Sequence, residues 1–294
     1  MSKLAFVFPG QGSQTVGMET DLAESAIGQE RFKQAEEILG WSVLDTCRQD
    51  EENLSRTLYT QPCLYVVESI LTDILIDEGG YLPQYVAGHS LGEYSALYAA
   101  RVFGFDAGLR LVQQRAKLMD TAAGGKMVAL MKFDRAQLEE TLARTSDAVL
   151  ANDNSSQQVV ISGTPEAVDS VVAEVKAKRA VPLKVSGAFH SPLMEGVAQD
   201  FQQLLDEVSF GDALIPVLSN VDPIPSTEAT ELKARLMKQM TSTVRWQETL
   251  IQLAEEGVSE LAEIGPGNVL TGLCKRTCPS MALKNIDRAE NCQI

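Results

Sequence analysis

Gln84-Tyr-Val-Ala-Gly-His-Ser-Leu-Gly-Glu-Tyr94 is the stretch around which the predicted fold is organised. The apolar residues 85–87 predict a short buried strand, and residues 93–100 favour a helix. Between them, Gly88-His-Ser-Leu-Gly92 matches the G-x-S-x-G pattern. In isolation this pattern is often a surface turn. A strand before it and a helix after it instead predict a nucleophile elbow, a sharp turn that presents a serine at its tip.

The glycines and the serine have separate roles in such a turn. A strained turn around Ser90 leaves no room for a Cβ at Gly88 or Gly92. The turn also places Ser90 at a helix N-terminus, where the backbone amide of Leu91 points at an oxyanion formed on an acylated serine. We therefore predict that Ser90 is a nucleophile and that Leu91 stabilises its oxyanion.

A second glycine-rich turn follows the first predicted strand. Residues 4–8 are consecutively apolar, which is typical of a strand buried on both faces, and they lead into Pro9-Gly-Gln-Gly-Ser-Gln14. One interpretation is a tight connection to the next helix. The other is a second backbone N–H donor to the oxyanion, because acyl-transfer sites need two converging donors and the elbow supplies one.

The sequence contains two histidines that could serve as the base for a serine nucleophile. His89 is adjacent to Ser90, and side chains diverge through the turn, so we expect His89 to pack behind the nucleophile. His190 is therefore the predicted base. Ordinary α/β-hydrolases place this histidine after an acid near the C-terminus. No Asp or Glu stands out as its partner here, so a backbone carbonyl is expected to orient it.

An arginine lies in an apolar row of a helix predicted over residues 106–122. The positions three and four residues from Arg115 hold no carboxylate. A buried guanidinium needs a partner, because it keeps its charge. Two interpretations stay open: a distant structural acid or a snorkelling side chain, and a substrate carboxylate gripped by two parallel hydrogen bonds.

A different pattern begins after Gly124-Gly125. Its βαββαβ order, in about sixty residues, is the ferredoxin-like signature of an inserted subdomain. The predicted elements are strand 127–131, helix 135–144, strands 149–152 and 159–162, helix 165–178 and strand 181–185, with a polar loop at 152–158. We predict a core formed by residues 1–125 and 188–294 and a small subdomain formed by residues 126–187.

Composition limits the classes of function. The chain has 294 residues, of which 45% are apolar, and a net charge of −15, so a nucleic-acid partner is not expected. The five cysteines include no C-x-x-C pair and are expected to be reduced structural thiols, with no metal site. We see no signal peptide and no apolar run long enough to span a membrane, and so expect a soluble cytoplasmic protein.

Over essentially its full length, the chain resembles malonyl-CoA:acyl carrier protein transacylases, both of fatty-acid synthases and of polyketide synthases. The segments that carry the resemblance are Phe8-Pro-Gly-Gln-Gly-Ser-Gln14, Gly88-His-Ser-Leu-Gly-Glu93, Gln114-Arg-Ala-Lys-Leu-Met119, Gly187-Ala-Phe-His190, Lys238-Gln-Met240 with Val244-Arg-Trp246, and Ile264-Gly-Pro-Gly267. Glu19, Lys126 and Asp153 depart from the usual family residues, outside the predicted catalytic set.

The resemblance implies an α/β-hydrolase-like core with a ferredoxin-like insert. It also implies that malonyl-CoA acylates Ser90, with His190 as base and then acid. The phosphopantetheine thiol of an acyl carrier protein would accept the malonyl group, and no cofactor is involved. The pathway, fatty-acid or polyketide, stays open.

Further site roles are implied by the same resemblance. The backbone amides of Gln11 and Leu91 would form the oxyanion hole, and Arg115 would bind the malonyl carboxylate. The carbonyl of Gln239 would orient the histidine. Met119 and Phe189 would contact the substrate, with Phe189 in the form associated with malonyl rather than methylmalonyl selectivity.

Two rival functions remain at this point. An acyl-thioester hydrolase could use the same serine and histidine, although it has no need of a buried cation such as Arg115. A catalytically silent docking subunit would be expected to have lost Ser90, His190 or an elbow glycine, and all are present.

Overall fold

The computed structural model describes residues 2–49, 51–185 and 187–292. Residues 1 and 294, the predicted outer ends of the core domain, lie outside the described residues. It has a mixed α/β fold with a parallel sheet and a separate antiparallel sheet. The strands are β1 (Lys3–Phe8), β2 (Tyr85–Gly88), β3 (Lys126–Phe133), β4 (Ala148–Ser155), β5 (Gln158–Gly163), β6 (Ala177–Pro182), β7 (Val217–Leu218), β8 (Val258–Ile264) and β9 (Ala282–Ile286). The helices are α1 (Ala26–Leu39), α2 (Val43–Gln49), α3 (Glu51–Leu54), α4 (Thr57–Asp73), α5 (Gly92–Ala99), α6 (Phe105–Thr121), α7 (Arg135–Arg144), α8 (Pro165–Glu174), α9 (Glu195–Glu207), α10 (Ala229–Lys238), α11 (Trp246–Glu255) and α12 (Val269–Thr277).

The parallel sheet has the strand order β7-β2-β1-β8-β9. Its central strand β1 is buried on both faces, as the apolar run predicted. Phe6 and Phe8 join the larger core cluster, whereas Ala5 and Val7 join the cluster on the opposite face. Because β1 and β2 are parallel, the loops that follow them leave from the same edge of the sheet. The two glycine-rich turns are thereby brought together.

The antiparallel sheet is built from the inserted segment, in the strand order β4-β5-β3-β6. The chain order of its elements, βαββαβ, is the predicted one. Alternate residues of β3 divide between two cores: Val128 and Leu130 belong to the small sheet's own cluster, and Met127 and Ala129 to the main core. This alternation places the small sheet against the large one.

The predicted polar loop at 152–158 was wrong for its first part, because residues 152–155 continue strand β4. The polar side chains in this strand have specific partners. Asp153 forms a bidentate ion pair with Arg135 at 2.7 and 2.9 Å, and its amide donates to the carbonyl of Val244 at 2.9 Å. The strand is at an edge of its sheet, so its polar groups can pair with neighbouring segments instead of requiring a loop.

Two other differences between the predicted and the observed elements concern edge strands. The helix predicted to end at residue 178 ends at Glu174, and β6 begins at Ala177 rather than at residue 181. Strand β9 was not predicted at all. Edge strands carry charged, solvent-exposed residues such as Lys178 and Arg179, so they lack the apolar alternation from which strands are predicted.

None of the helices in the described ranges combines the length and apolar character that crossing a bilayer requires.

Candidate active site

The turn between β2 and α5 is strained in the way the sequence predicted. Ser90 has a left-handed backbone conformation, with φ of 53°. A Cβ on Gly88 would lie 1.9 Å from the carbonyl carbon of Gly92, and a Cβ on Gly92 would lie 2.0 Å from the carbonyl oxygen of Phe8. Only glycine fits at either position, so the elbow packs directly against the end of β1.

The side chain of Asn220 holds this turn in place. Its Oδ1 accepts from the amide of Ser90 at 2.7 Å, and its Nδ2 donates to the carbonyl of Gly88 at 2.6 Å. Sequence reasoning missed Asn220. A signal did exist, because Asn220 is a polar residue just after the short apolar stretch 214–218, and β7 pairs with β2.

Ser90 and His190 are in direct contact. The Ser90 Oγ lies 2.8 Å from the Nε2 of His190, and the Nδ1 of His190 lies 2.9 Å from the backbone carbonyl of Gln239. A carbonyl oxygen can only accept, so the proton of the neutral ring is on Nδ1 and the lone pair of Nε2 faces the serine. No side-chain carboxylate is needed for this orientation.

The buried imidazole of His190 is neutral at physiological pH. Burial lowers its pKa to about 3, and the positive charge of Arg115 contributes further to the decrease. The neutral ring can accept a proton from Ser90 at once.

His89 is turned away from the nucleophile. Its Nε2 lies 2.8 Å from the Oδ1 of Asn154, and its ring meets that of Trp246 edge to face, with centroids 5.5 Å apart. Burial lowers the pKa of His89. The residue therefore links the elbow to strand β4 and to α11.

The guanidinium of Arg115 is 1% exposed and lies beside the serine. Its Nη2 donates to the Ser90 Oγ at 3.2 Å and to the Oε1 of Gln239 at 3.0 Å, and its Nη1 donates to the Oε1 of Gln61 at 2.6 Å. Burial lowers the pKa of Arg115. Within the described ranges, Arg115 has no ion pair with any carboxylate. The guanidinium therefore has no direct acidic partner among these residues, and its burial excludes a snorkelling side chain.

The loop after β1 lies against the elbow. A Cβ on Gly10 would come within 2.5 Å of the carbonyl oxygen of His89, which explains why glycine is needed there. The side chain of Gln11 is held by a hydrogen bond to the Oγ1 of Thr57 at 3.0 Å. Gln11 and Leu91 both line the same cleft as Ser90.

The cleft has a volume of about 210 Å³ and lies between the two sheets. Ser90, His190 and Arg115 line it together with the apolar side chains of Met119 and Phe189. The Sδ of Met119 accepts a hydrogen bond from the Nε2 of Gln61 at 3.4 Å, which connects this side chain to the arginine's partner. All predicted site residues except Gln239 line this one cleft. Gln239 contacts His190 through its backbone carbonyl.

No group of three or more His, Cys, Asp or Glu side chains is arranged to hold a metal ion in the part of the chain that the structure describes. The predicted absence of a cofactor stays a prediction.

Residues 5–293 match the family model described as the acyl transferase domain. The chain belongs to this acyltransferase family. It is 58% identical over 289 residues to the malonyl CoA-acyl carrier protein transacylase of Synechocystis sp., which covers 98% of each chain.

Solved structures of acyltransferases have the same fold. The crystal structure of the Synechocystis malonyl-CoA:ACP transacylase superimposes with a TM-score of 0.97 at 57% identity, covering 99% of both chains. A malonyl-transacylase in complex with its type II PKS acyl carrier protein superimposes with a TM-score of 0.93 at 37% identity, covering 99% of this chain and 98% of that one.

Proposed function

We propose that this acyltransferase moves a malonyl group from malonyl-CoA to the phosphopantetheine thiol of an acyl carrier protein, through a malonyl-serine intermediate. The observation that carries the proposal is the buried guanidinium of Arg115, whose Nη2 is 3.2 Å from the Ser90 Oγ. A fixed positive charge beside the nucleophile suits an acyl group that ends in a carboxylate. The names of the similar malonyl transacylases agree with this assignment.

In the first half-reaction, Ser90 Oγ attacks the thioester carbonyl while His190 Nε2 takes its proton. The amides of Gln11 and Leu91 stabilise the resulting oxyanion. The intermediate collapses by breaking the carbon–sulfur bond, and the imidazolium returns the proton to the departing CoA thiolate. Arg115 holds the malonyl carboxylate throughout, with Met119 and Phe189 against the rest of the acyl group.

The second half-reaction runs in reverse with a different thiol. His190 takes the proton of the phosphopantetheine thiol, and the thiolate attacks the malonyl ester. Collapse of this intermediate returns the proton to Ser90. Neither half-reaction requires a cofactor, because malonyl-CoA is itself the substrate.

We further propose that the parallel sheet is an α/β-hydrolase-like core formed by residues 1–125 and 188–294. The insert at 126–187 would be a ferredoxin-like subdomain, and its βαββαβ order and antiparallel sheet support this. A Cβ on Gly125 would lie 2.0 Å from the amide of Ala188, so the chain enters and leaves the insert at adjacent points. This close approach supports the proposed boundaries.

We also propose a cytoplasmic location for the chain. The five cysteines are free and buried, which suits a reducing, cytoplasmic location. The carrier protein could belong to fatty-acid or to polyketide synthesis.

Transfer and hydrolysis can be separated in one assay. The purified chain is supplied with malonyl-CoA, with and without a phosphopantetheinylated carrier protein, and the products are followed by mass spectrometry. We expect malonyl-carrier protein to form much faster than free malonate. If CoA release is equally fast without the carrier protein, and malonate accumulates, the chain is a thioester hydrolase and the proposal is wrong.

A further inference from the structure

Arg115 and Glu93 are buried charges of opposite sign that are not in contact. Each is 1% exposed. The side-chain amide of Gln239 lies between them: its Nε2 donates to the Oε2 of Glu93 at 2.7 Å, and its Oε1 accepts from the Nη2 of Arg115 at 3.0 Å. The two charges are therefore connected through a hydrogen-bonded dipole, without a salt bridge.

The contacts of Glu93 fit an ionised carboxyl group. Its Oε2 accepts two hydrogen bonds, from Gln239 and from the backbone amide of Asn220 at 3.2 Å. Its Oε1 has no hydrogen-bond partner of good geometry within the described ranges. Burial raises the pKa of Glu93, whereas the hydrogen bonds and the nearby charge of Arg115 oppose this increase.

An indirect counter-charge leaves the guanidinium without a direct anionic partner among the described residues. Arg115 uses Nη1 for Gln61 and Nη2 for Gln239 and Ser90, and its Nε has no partner among the described residues. A direct ion pair would occupy two donors in parallel. With Gln239 between the two charges, Arg115 has no direct anionic partner in the described part of the chain. The negative charge of Glu93 still lowers the positive potential that a substrate carboxylate meets.

We propose that Glu93 is the counter-charge that limits the preference for carboxylated acyl groups, and that the Gln239 side chain is the positioning residue that holds Arg115 toward them. The negative charge makes the unoccupied guanidinium less costly to bury, and at the same time weakens its attraction for a malonyl carboxylate. This inference rests on the proposed malonyl transfer and assigns the residues that adjust its specificity.

The first test is the variant Glu93→Gln. Glutamine has the same shape, and its Oε1 can accept both hydrogen bonds, but the negative charge is removed. We expect the ratio of kcat/KM for malonyl-CoA to that for acetyl-CoA to rise about fivefold, because Arg115 loses its counter-charge. A merely structural role would predict a fall or no change in this ratio.

A matched control replaces another buried carboxyl group, whose pKa is raised well above its ordinary value by burial. Glu68 is fully buried, and its Oε2 accepts from the Oγ of Ser95 at 2.5 Å, with no hydrogen-bonded link to Arg115 in the described residues. We expect Glu68→Gln to keep the wild-type ratio. The comparison separates the loss of this particular charge from the loss of any buried acid.

The second test is Gln239→Met, which removes the amide, including its hydrogen bond to the Ser90 carbonyl at 2.9 Å, but keeps the backbone carbonyl that contacts His190. Arg115 then loses one partner, so the ratio of kcat/KM for malonyl-CoA to that for acetyl-CoA should fall about tenfold. General damage to the serine–histidine pair would instead reduce both rates equally and leave the ratio unchanged.

The outcomes are distinct. A folded Glu93→Gln variant with a ratio at or below that of the wild type overturns the counter-charge role. A Gln239→Met variant with the wild-type ratio overturns the positioning role, and this test does not depend on whether Glu93→Gln folds. A wild-type chain that is not acylated by malonyl-CoA at all would refute the proposed function instead.

Discussion

Ser90 and His190 both have left-handed backbone conformations, with φ of 53° and 56°. Such conformations cost on the order of 1–3 kcal/mol each in residues other than glycine. Local hydrogen bonds offset this strain: Asn220 holds the turn at Ser90, and the Oγ of Ser191 donates to the carbonyl of Ala188 at 2.6 Å beside His190. At the scale of single residues, the site is thus two strained backbone positions fixed by side chains that take no part in the chemistry.

Arg115 should act on both the substrate and the base. In Arg115→Met the carboxylate partner is lost, so we expect kcat/KM for malonyl-CoA to fall by roughly 10- to 100-fold relative to that for acetyl-CoA. The positive charge of Arg115 also lowers the pKa of His190. Without it, the pKa rises, His190 is protonated at a higher pH, and the acid limb of the acylation rate with acetyl-CoA should move to higher pH.

These effects can be measured by stopped-flow acylation between about pH 3 and pH 8, a range that covers both the lowered pKa of His190, about 3, and the ordinary histidine pKa. Equal losses for the two substrates would mean that Arg115 does not bind the carboxylate. An acid limb that stays in place would mean that its charge does not reach the imidazole.

At the scale of elements, the site depends on a packing contact between α5 and β1. Gly92, the first residue of α5, lies against Phe8, the last residue of β1. Three elements then supply the remaining groups: α6 carries Arg115, the turn after α10 carries Gln239, and the loop before α9 carries His190. Sequence reasoning misplaced the start of β6, missed β9 and took the end of β4 for a loop, although Asn154 of β4 contacts His89. None of these three strands carries Ser90, His190, Arg115 or Gln239, so the predicted positions of these residues were not affected.

The contact between α5 and β1 can be tested with Gly92→Ala. The added Cβ would lie 2.0 Å from the Phe8 carbonyl oxygen, so the elbow or the strand must shift. We expect the free energy of unfolding in urea to fall by about 3 kcal/mol or more.

Gly272→Ala, in α12, is the matched control, because its Cβ would have no neighbour within 4 Å. It should stabilise the protein by up to about 1 kcal/mol through helix propensity. If Gly92→Ala were as stable as this control, the close packing of the elbow would be wrong.

At the scale of the whole molecule, the sequence predicted the groups that are recognisable from their neighbours. Ser90 lies in a local turn pattern, and Arg115 interrupts an apolar helical row. Gln61 and Asn220 were not predicted, because their roles come from contacts across 54 and 130 residues of chain that no local pattern reports. The side chain of Gln239 was missed for the same reason, although its backbone carbonyl was expected to orient His190.

The central claim is that Ser90 carries the malonyl group between two thiols. Intact-mass and peptide mass spectrometry of the chain, quenched after mixing with malonyl-CoA, tests it most directly, with Ser90→Ala treated in parallel. We predict one malonyl group per wild-type chain, on the peptide that contains residue 90, and none on the variant. A full-yield adduct on Ser90→Ala, or an adduct on another peptide, would contradict the claim.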